Sequence, residues 1–162
     1  MEFIEETRDL FSLPQDYLLV HCISSDRCMG AGIAKVFRDK YDIKTILCNY
    51  RDWGRGWNEI DMIGKCVIVR RNEKCPWAVA NLITKHNYYD KPTYETLEQS
   101  LMSLKRILIE DEAYGFNSFS FNRKLGMPLI GCGLDKLKWD KVSEIIKEVF
   151  ADTDIEIVVC RR

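Results

Sequence analysis

Two short glycine-containing segments are the parts of this 162-residue chain best suited to hold a ligand. The first, Cys28-Met29-Gly30-Ala31-Gly32-Ile33-Ala34, lies between an apolar run and a helix-compatible stretch. Small residues there let a ligand approach the backbone, and a helix N-terminus adds unpaired N–H groups and the positive end of a dipole. The second, Gly131-Cys132-Gly133-Leu134-Asp135, directly follows Pro128-Leu129-Ile130. Two such loops facing one crevice would grip both phosphates of a diphosphate through backbone amides, without net positive charge. Each loop alone reads equally well as a plain turn or a helix–sheet contact. Gly133 is expected to adopt a backbone angle that only glycine tolerates, with a larger side chain there crowding the ligand's path.

The motifs of the common nucleotide enzymes are missing. A P-loop carries Lys and then Ser or Thr after its last glycine, whereas Gly32 is followed by Ile33-Ala34. A dinucleotide fingerprint needs glycine or alanine where Lys35 stands. A kinase or a dehydrogenase is therefore disfavoured. The seven cysteines contain no C-x-x-C pair, and His21 and His86 are the only histidines, so zinc-ligand spacing is absent too. No metal and no cofactor is called for. His21 sits in an apolar run and reads first as a packed residue beside the pocket, and His86 as rim. Tyr88 and Tyr89 either stack on a substrate or are ordinary exposed loop tyrosines.

These loops need a frame. Residues 17–23 read as a buried strand and 33–41 as a helix. Residues 49–60, with Trp53, Gly54, Gly56 and Trp57, form an irregular excursion. Residues 65–70 and 77–84 predict two strands joined at Asn72-Glu73-Lys74, a hairpin. Thr93 is the expected N-cap of a helix whose apolar stripe is Leu97, Leu101, Leu104 and Leu108. Residues 118–121 and 126–130 are short strand candidates. Val142, Ile145, Ile146, Val149 and Phe150 follow helical spacing, and 154–160 is a β-branched final strand. Strands alternating with helices imply one α/β domain, a mostly parallel sheet covered on both faces, with ligands at the carboxyl ends of its strands.

Composition narrows the setting. Hydrophobic residues make up 46% and charged residues 30%, the balance of a globular domain. No apolar run approaches the ~20 residues of a membrane span. The acidic start Glu2-Phe3-Ile4-Glu5-Glu6 lacks the character of a signal peptide, and the odd cysteine count reads as reduced thiols. An intracellular protein, cytoplasmic or nuclear rather than secreted, is expected, and a monomer. Net charge is −1, which argues against sequence-independent nucleic-acid binding.

Five blocks in order resemble the macrodomain family: Asp9-Leu10-Phe11; His21-Cys22-Ile23-Ser24 with Met29-Gly30-Ala31-Gly32-Ile33-Ala34; Leu82-Ile83-Thr84-Lys85; Lys91-Pro92-Thr93-Tyr94; and Gly131-Cys132-Gly133-Leu134-Asp135. Within it the sequence is most similar to the terminal ADP-ribose protein glycohydrolases. The resemblance spans about residues 3–160. It implies a three-layer α/β/α sandwich around a mixed, mainly parallel six-stranded sheet. It also implies that Asp9 accepts from the adenine amino group beside the Leu10 backbone. Ser24, Gly30, Ala31, Gly32 and Ile33 would hold one side of the diphosphate and the distal ribose, near His21 and Thr84. Leu129, Ile130, Gly131, Cys132, Gly133 and Leu134 would wrap the other side, with the amides rather than the Cys132 thiol acting. Arg162 would flank the adenine. The sequence departs from the family pattern at Arg8, where glycine is usual, in residues 49–60, and in a longer 119–124 stretch.

The resemblance places nucleophilic catalysis on Lys85 and proton relay on Asp135. From composition alone these two are a solvated strand-end lysine and a loop cap or surface ion pair. The function implied is removal of terminal mono-ADP-ribose from a carboxylate-linked protein site or a nucleic-acid base, the latter only as a modified substrate. Two alternatives share the pocket. One is hydrolysis of ADP-ribose 1″-phosphate or of O-acyl-ADP-ribose, and the other is a non-catalytic ADP-ribose reader with no need of Lys85.

Overall fold

The apolar run after Asp16 becomes the middle of a sheet, because both of its faces are covered. A computed structural model describes residues 1–50, 60–119 and 122–161. In chain order its strands and α-helices are β1 (Glu2–Glu6), β2 (Leu18–Ser24), α1 (Gly32–Tyr41), α2 (Ile43–Cys48), β3 (Cys66–Val69), β4 (Val79–Lys85), α3 (Tyr94–Ala113), β5 (Lys124–Met127), α4 (Trp139–Phe150) and β6 (Glu156–Cys160). The strand order is β1-β6-β5-β2-β4-β3. Every neighbouring pair is parallel except β3–β4, the hairpin read from the sequence. The sheet is therefore mixed and mainly parallel.

Side chains alternate between two cores, as the two-residue period of a strand requires. Leu18, Val20, Ala80 and Leu82 pack with Leu97, Leu101, Leu104 and Leu108 of α3 and with Val142, Ile146 and Phe150 of α4. Leu19, Ile23, Val79 and Ile83 pack on the other face with Phe37 and Tyr41 of α1 and Ile43 and Leu47 of α2. Thr93 caps α3 through Thr96 N and forms a reciprocal box with the Thr96 hydroxyl.

Four elements differ from the sequence reading. Residues 118 and 119 form a turn rather than a strand, with Ser118 N donating to the Asp111 carboxylate at 2.9 Å. The strand expected over 126–130 is β5, shifted to Lys124–Met127, because Pro128 cannot donate to a ladder. Two elements carried too weak a pattern to be read. β1 is a charged edge strand with no buried residue, and α2 has six residues. The excursion expected over 49–60 lies mostly outside the described residues, as do Phe121 and Arg162.

Candidate active site

Because β1, β6, β5, β2 and β4 run parallel, their carboxyl ends share one crest. That crest carries Asp9 beyond β1, Ser24 and the first glycine loop beyond β2, Lys85 at the end of β4, and the second glycine loop beyond β5. The β2–β5 ladder is only two pairs long, Leu18–Leu125 and Leu19–Gly126. β2 continues to Ser24 without β5 beside it, leaving space between the two glycine loops. Parallel sheets bind ligands in such crevices.

The first loop ends in the N-terminus of α1, whose N-cap Ala31 provides no side-chain cap. The N–H groups of Gly30, Ala31, Gly32 and Ile33 donate to no acceptor among the described residues. A row of free amides at a helix start is an anion site. The second loop is closed by Leu137 N donating to Gly131 O (2.8 Å) and Lys136 N donating to Gly133 O (3.2 Å). Gly133 and Leu134 stand exposed, while Ile130 and Gly131 are buried. The expectation for Gly133 is corrected here. Its φ lies outside the left-handed region and a Cβ there would meet nothing within 4 Å. The glycine that the turn requires is Gly131, at φ +72°, where a Cβ would stand 3.0 Å from Leu137 Cδ1.

Lys85 Nζ donates to Asp135 Oδ1 at 2.6 Å, with 13% and 17% of the two side chains exposed. The pair bridges β4 and the second glycine loop. What aims Lys85 there is a register shift at the crest: Ile23 pairs with Ile83, but Ser24 pairs with Lys85, leaving Thr84 as an extra residue. Such a bulge resets side-chain alternation and re-aims the next residue. Ile83 faces α1, whereas Lys85 reaches a loop that packs beside α3 and α4 through Leu129, Cys132 and Leu137. Thr84 itself is buried, and its Oγ1 has no partner. Beside the pair, burial and the Asp135 charge push the Cys132 thiol up, and burial pushes Cys22 up further, so both stay neutral thiols.

His21 is brought beneath the crest and presents no surface to the crevice. It is buried, with its ring 4.3 Å from that of Phe37. Asn81 Nδ2 donates to Val67 O and Val79 O, so Asn81 Oδ1 must accept from His21 Nε2 (2.6 Å), which leaves Nδ1 as the buried, unpartnered acceptor. Burial lowers the His21 pKa to about 4 against the opposing Asn81 bond. That lies below the unfolded value near 6.5. The unfolded chain therefore binds more protons between these values, and stability is lost as pH falls from 6.5 toward 4. Unfolding titrations should show a loss of about 2 kcal/mol between pH 7 and pH 5. In His21→Gln, which keeps a donor for Asn81, that loss should vanish; an unchanged slope would mean another group titrates there.

Asp9 is exposed and caps a single turn of 3-10 helix, Oδ1 accepting from Phe11 N at 2.9 Å. Leu10 is buried and offers only its backbone to a ligand. Arg8 keeps φ outside the left-handed region, so no glycine is needed there. Its guanidinium donates to Ser12 Oγ (3.0 Å) and Ser12 O (3.2 Å), clamping the turn that carries Asp9. In the Lys-Pro-Thr-Tyr block sequence reasoning gave a role to Thr93 alone, as the cap of α3. Here Lys91 Nζ donates to Leu134 O (2.8 Å) and Tyr94 Oη accepts from Lys138 N (3.1 Å), fastening α3 to the second glycine loop. Among the described residues no group of three His, Cys, Asp or Glu could hold a metal ion.

The fold is that of the macrodomains. The DarG macrodomain of Mycobacterium tuberculosis superposes with a TM-score of 0.78 over 98% of this chain and 96% of its own, at 22% identity. Thermosipho africanus DarTG in complex with ADP-ribose superposes with a TM-score of 0.71 over 99% of this chain and 42% of its own, at 18% identity. No protein-family model matches the chain. Sequence likeness reaches further than shape. ADP-ribose glycohydrolase OARD1 of Bos taurus is 40% identical over 152 residues, 93% of this chain and 86% of the relative. OARD1 of Homo sapiens is 38% identical over the same shares. The chain belongs to the OARD1 family of ADP-ribose glycohydrolases.

Proposed function

We propose that this chain hydrolyses the bond joining C1″ of a terminal ADP-ribose to a macromolecule, with Lys85 as nucleophile and Asp135 as its proton partner. The observation that carries this reading is the 2.6 Å Lys85–Asp135 pair, which joins the end of β4 to the second glycine loop. The Nζ lone pair forms a bond to C1″ as the C1″–O bond to a protein carboxylate breaks, and the carboxylate leaves as an anion. Asp135 takes the proton that Nζ sheds. The C1″–O4″ bond then breaks as the remaining Nζ proton passes to O4″, which opens the ribose and leaves an imine. Water adds across the imine, and the C1″–N bond breaks as the aldehyde forms, freeing ADP-ribose while Asp135 returns its proton to the amine. No step needs a metal.

The test is a product assay with ADP-ribosylated protein, ADP-ribosylated DNA and ADP-ribose 1″-phosphate side by side. Free ADP-ribose from a macromolecular substrate is the expected product. Turnover of the 1″-phosphate alone would sink the reading.

In the same proposal Asp9 reads the adenine amino group with the carboxylate oxygen its cap leaves over. Asp9→Asn keeps a capping oxygen but turns the other acceptor into a donor. ADP-ribose affinity should fall by about 1.5–3 kcal/mol in calorimetry, with the melting temperature unchanged. Unchanged affinity would remove the adenine assignment.

A further inference from the structure

The loop after β2 and the loop after β4 run side by side beyond the Thr84 bulge. Ser25 N donates to Lys85 O (2.8 Å) and Asp26 N to His86 O (3.0 Å), so the ladder continues past the sheet. The Asp26 carboxylate then joins three donors. Oδ1 accepts from Ser24 Oγ (2.5 Å) and from Cys28 N (3.0 Å), at the entrance to the first glycine loop. Oδ2 accepts from Tyr88 N (2.9 Å), three residues beyond Lys85. Burial disfavours the charged form, but the bonds from Ser24, Cys28 and Tyr88 outweigh it, and the Asp26 pKa lies below its ordinary value. Beyond the bulge two backbone bonds hold the paired loops, and the Asp26 carboxylate adds a tie from Tyr88 N to the entrance of the first glycine loop.

We infer that Asp26 is a positioning residue for turnover: through Tyr88 N it holds the chain beyond Lys85 against the diphosphate loop, fixing where Lys85 meets C1″. This rests on the lysine reading above. Ser24 gains a defined role at the same time. Its hydroxyl proton is committed to Asp26, so Ser24 offers a ligand only lone pairs, which suits a ribose hydroxyl and not a phosphate oxygen.

The local geometry supplies a substitution that removes one bond and little else. Asp90 N donates to Asn87 O (3.0 Å), which makes residues 87–90 a β-turn with Tyr88 at its second position. Proline is favoured there, so Tyr88→Pro deletes the N–H that Asp26 accepts while suiting the turn. Tyr88→Ala keeps that N–H and sets the baseline for losing the ring, which is exposed.

The experiment measures kcat on an ADP-ribosylated protein and ADP-ribose Kd for Tyr88→Pro, Tyr88→Ala, Asp26→Asn, the Asp26→Asn/Tyr88→Pro double variant and Lys85→Ala. Tyr88→Pro should turn over about tenfold or more slowly than Tyr88→Ala, the size of effect a small misplacement causes, with Kd within about threefold. The double variant should be no slower than the slower single, because the bond between Asp26 and Tyr88 N is lost in both. Equal kcat for Tyr88→Pro and Tyr88→Ala, or losses that multiply in the double variant, overturns the inference. If Lys85→Ala is inactive in that case, only the role of Asp26 has failed. If Lys85→Ala turns over at the wild-type rate, it is the lysine reading that has failed.

Discussion

Lys85→Ala should stop release of ADP-ribose, a loss of about 10⁴-fold or more, while ADP-ribose binding stays within about threefold. The two halves of that result have separate causes. In the proposed reading affinity comes from the backbone amides of the glycine loops and from Asp9, to which the Lys85 side chain is tied only through its bond to Asp135. Turnover, in the same reading, comes from the amine. Asp135→Ala should also lose about 10²–10⁴-fold, since Nζ then has nowhere to send its proton. Borohydride added to enzyme and ADP-ribose should reduce the imine and leave a covalent adduct on Lys85, visible by mass spectrometry. A variant lacking Lys85 that works near the wild-type rate on every substrate would refute the lysine mechanism. A water-based phosphatase or deacylase would give that result and no adduct.

The second large effect separates two glycines two residues apart. Gly131→Val should destabilise the fold by about 2–3 kcal/mol, because a β-branched residue must enter the left-handed region and its Cβ meets Leu137 and Leu97. In a chain of this size that is a fall of roughly 5–10 °C in melting temperature. Gly133→Val should leave stability within about 0.5 kcal/mol, since a Cβ there meets open space. It should nevertheless lose at least about tenfold in ADP-ribose affinity, because its side chain would stand in the ligand's path. Calorimetry and thermal melts on both variants check this. Retained affinity in Gly133→Val would mean that the loop is only a turn.

The main elements were legible where periodicity was long or uninterrupted. Leu97 to Leu108 and Val142 to Phe150 could only be helices, and the apolar run of β2 could only be buried. The Asn72–Lys74 turn announced its hairpin. β1 was opaque because a five-residue edge strand that lends only Phe3 to the core shows almost no alternation. Of the site, the glycine loops were legible by composition, and Lys85 and Asp135 only through the resemblance, since fifty residues separate them. The bulge at Thr84 was hidden, because one extra residue leaves no mark on a sequence. Asp26 had a readable signal: a short acid just past a strand often accepts bonds from the next backbone N–H groups. His21 was legible as a core residue, but its pairing with Asn81 required the β2–β4 register.

The first strand and the last are neighbours. Glu2 to Glu6 pair with Glu156 to Cys160, and Arg161 N donates to Glu6 O (2.8 Å). Among the described residues β1 has no other strand beside it, and the arm that carries Asp9 leaves directly from its end. Closing that pair spans almost the whole chain, whereas the β3–β4 hairpin closes locally, so the hairpin is expected early in folding and β1 last. A ribosome-bound chain can thus complete the Lys85 strand while its Asp9 arm is still undocked. A protease that trims β6 would have the same effect in a finished molecule, freeing the Asp9 arm without cutting it. With Asp9 in its proposed role, recognition of adenine then reports that β6 has been made and kept.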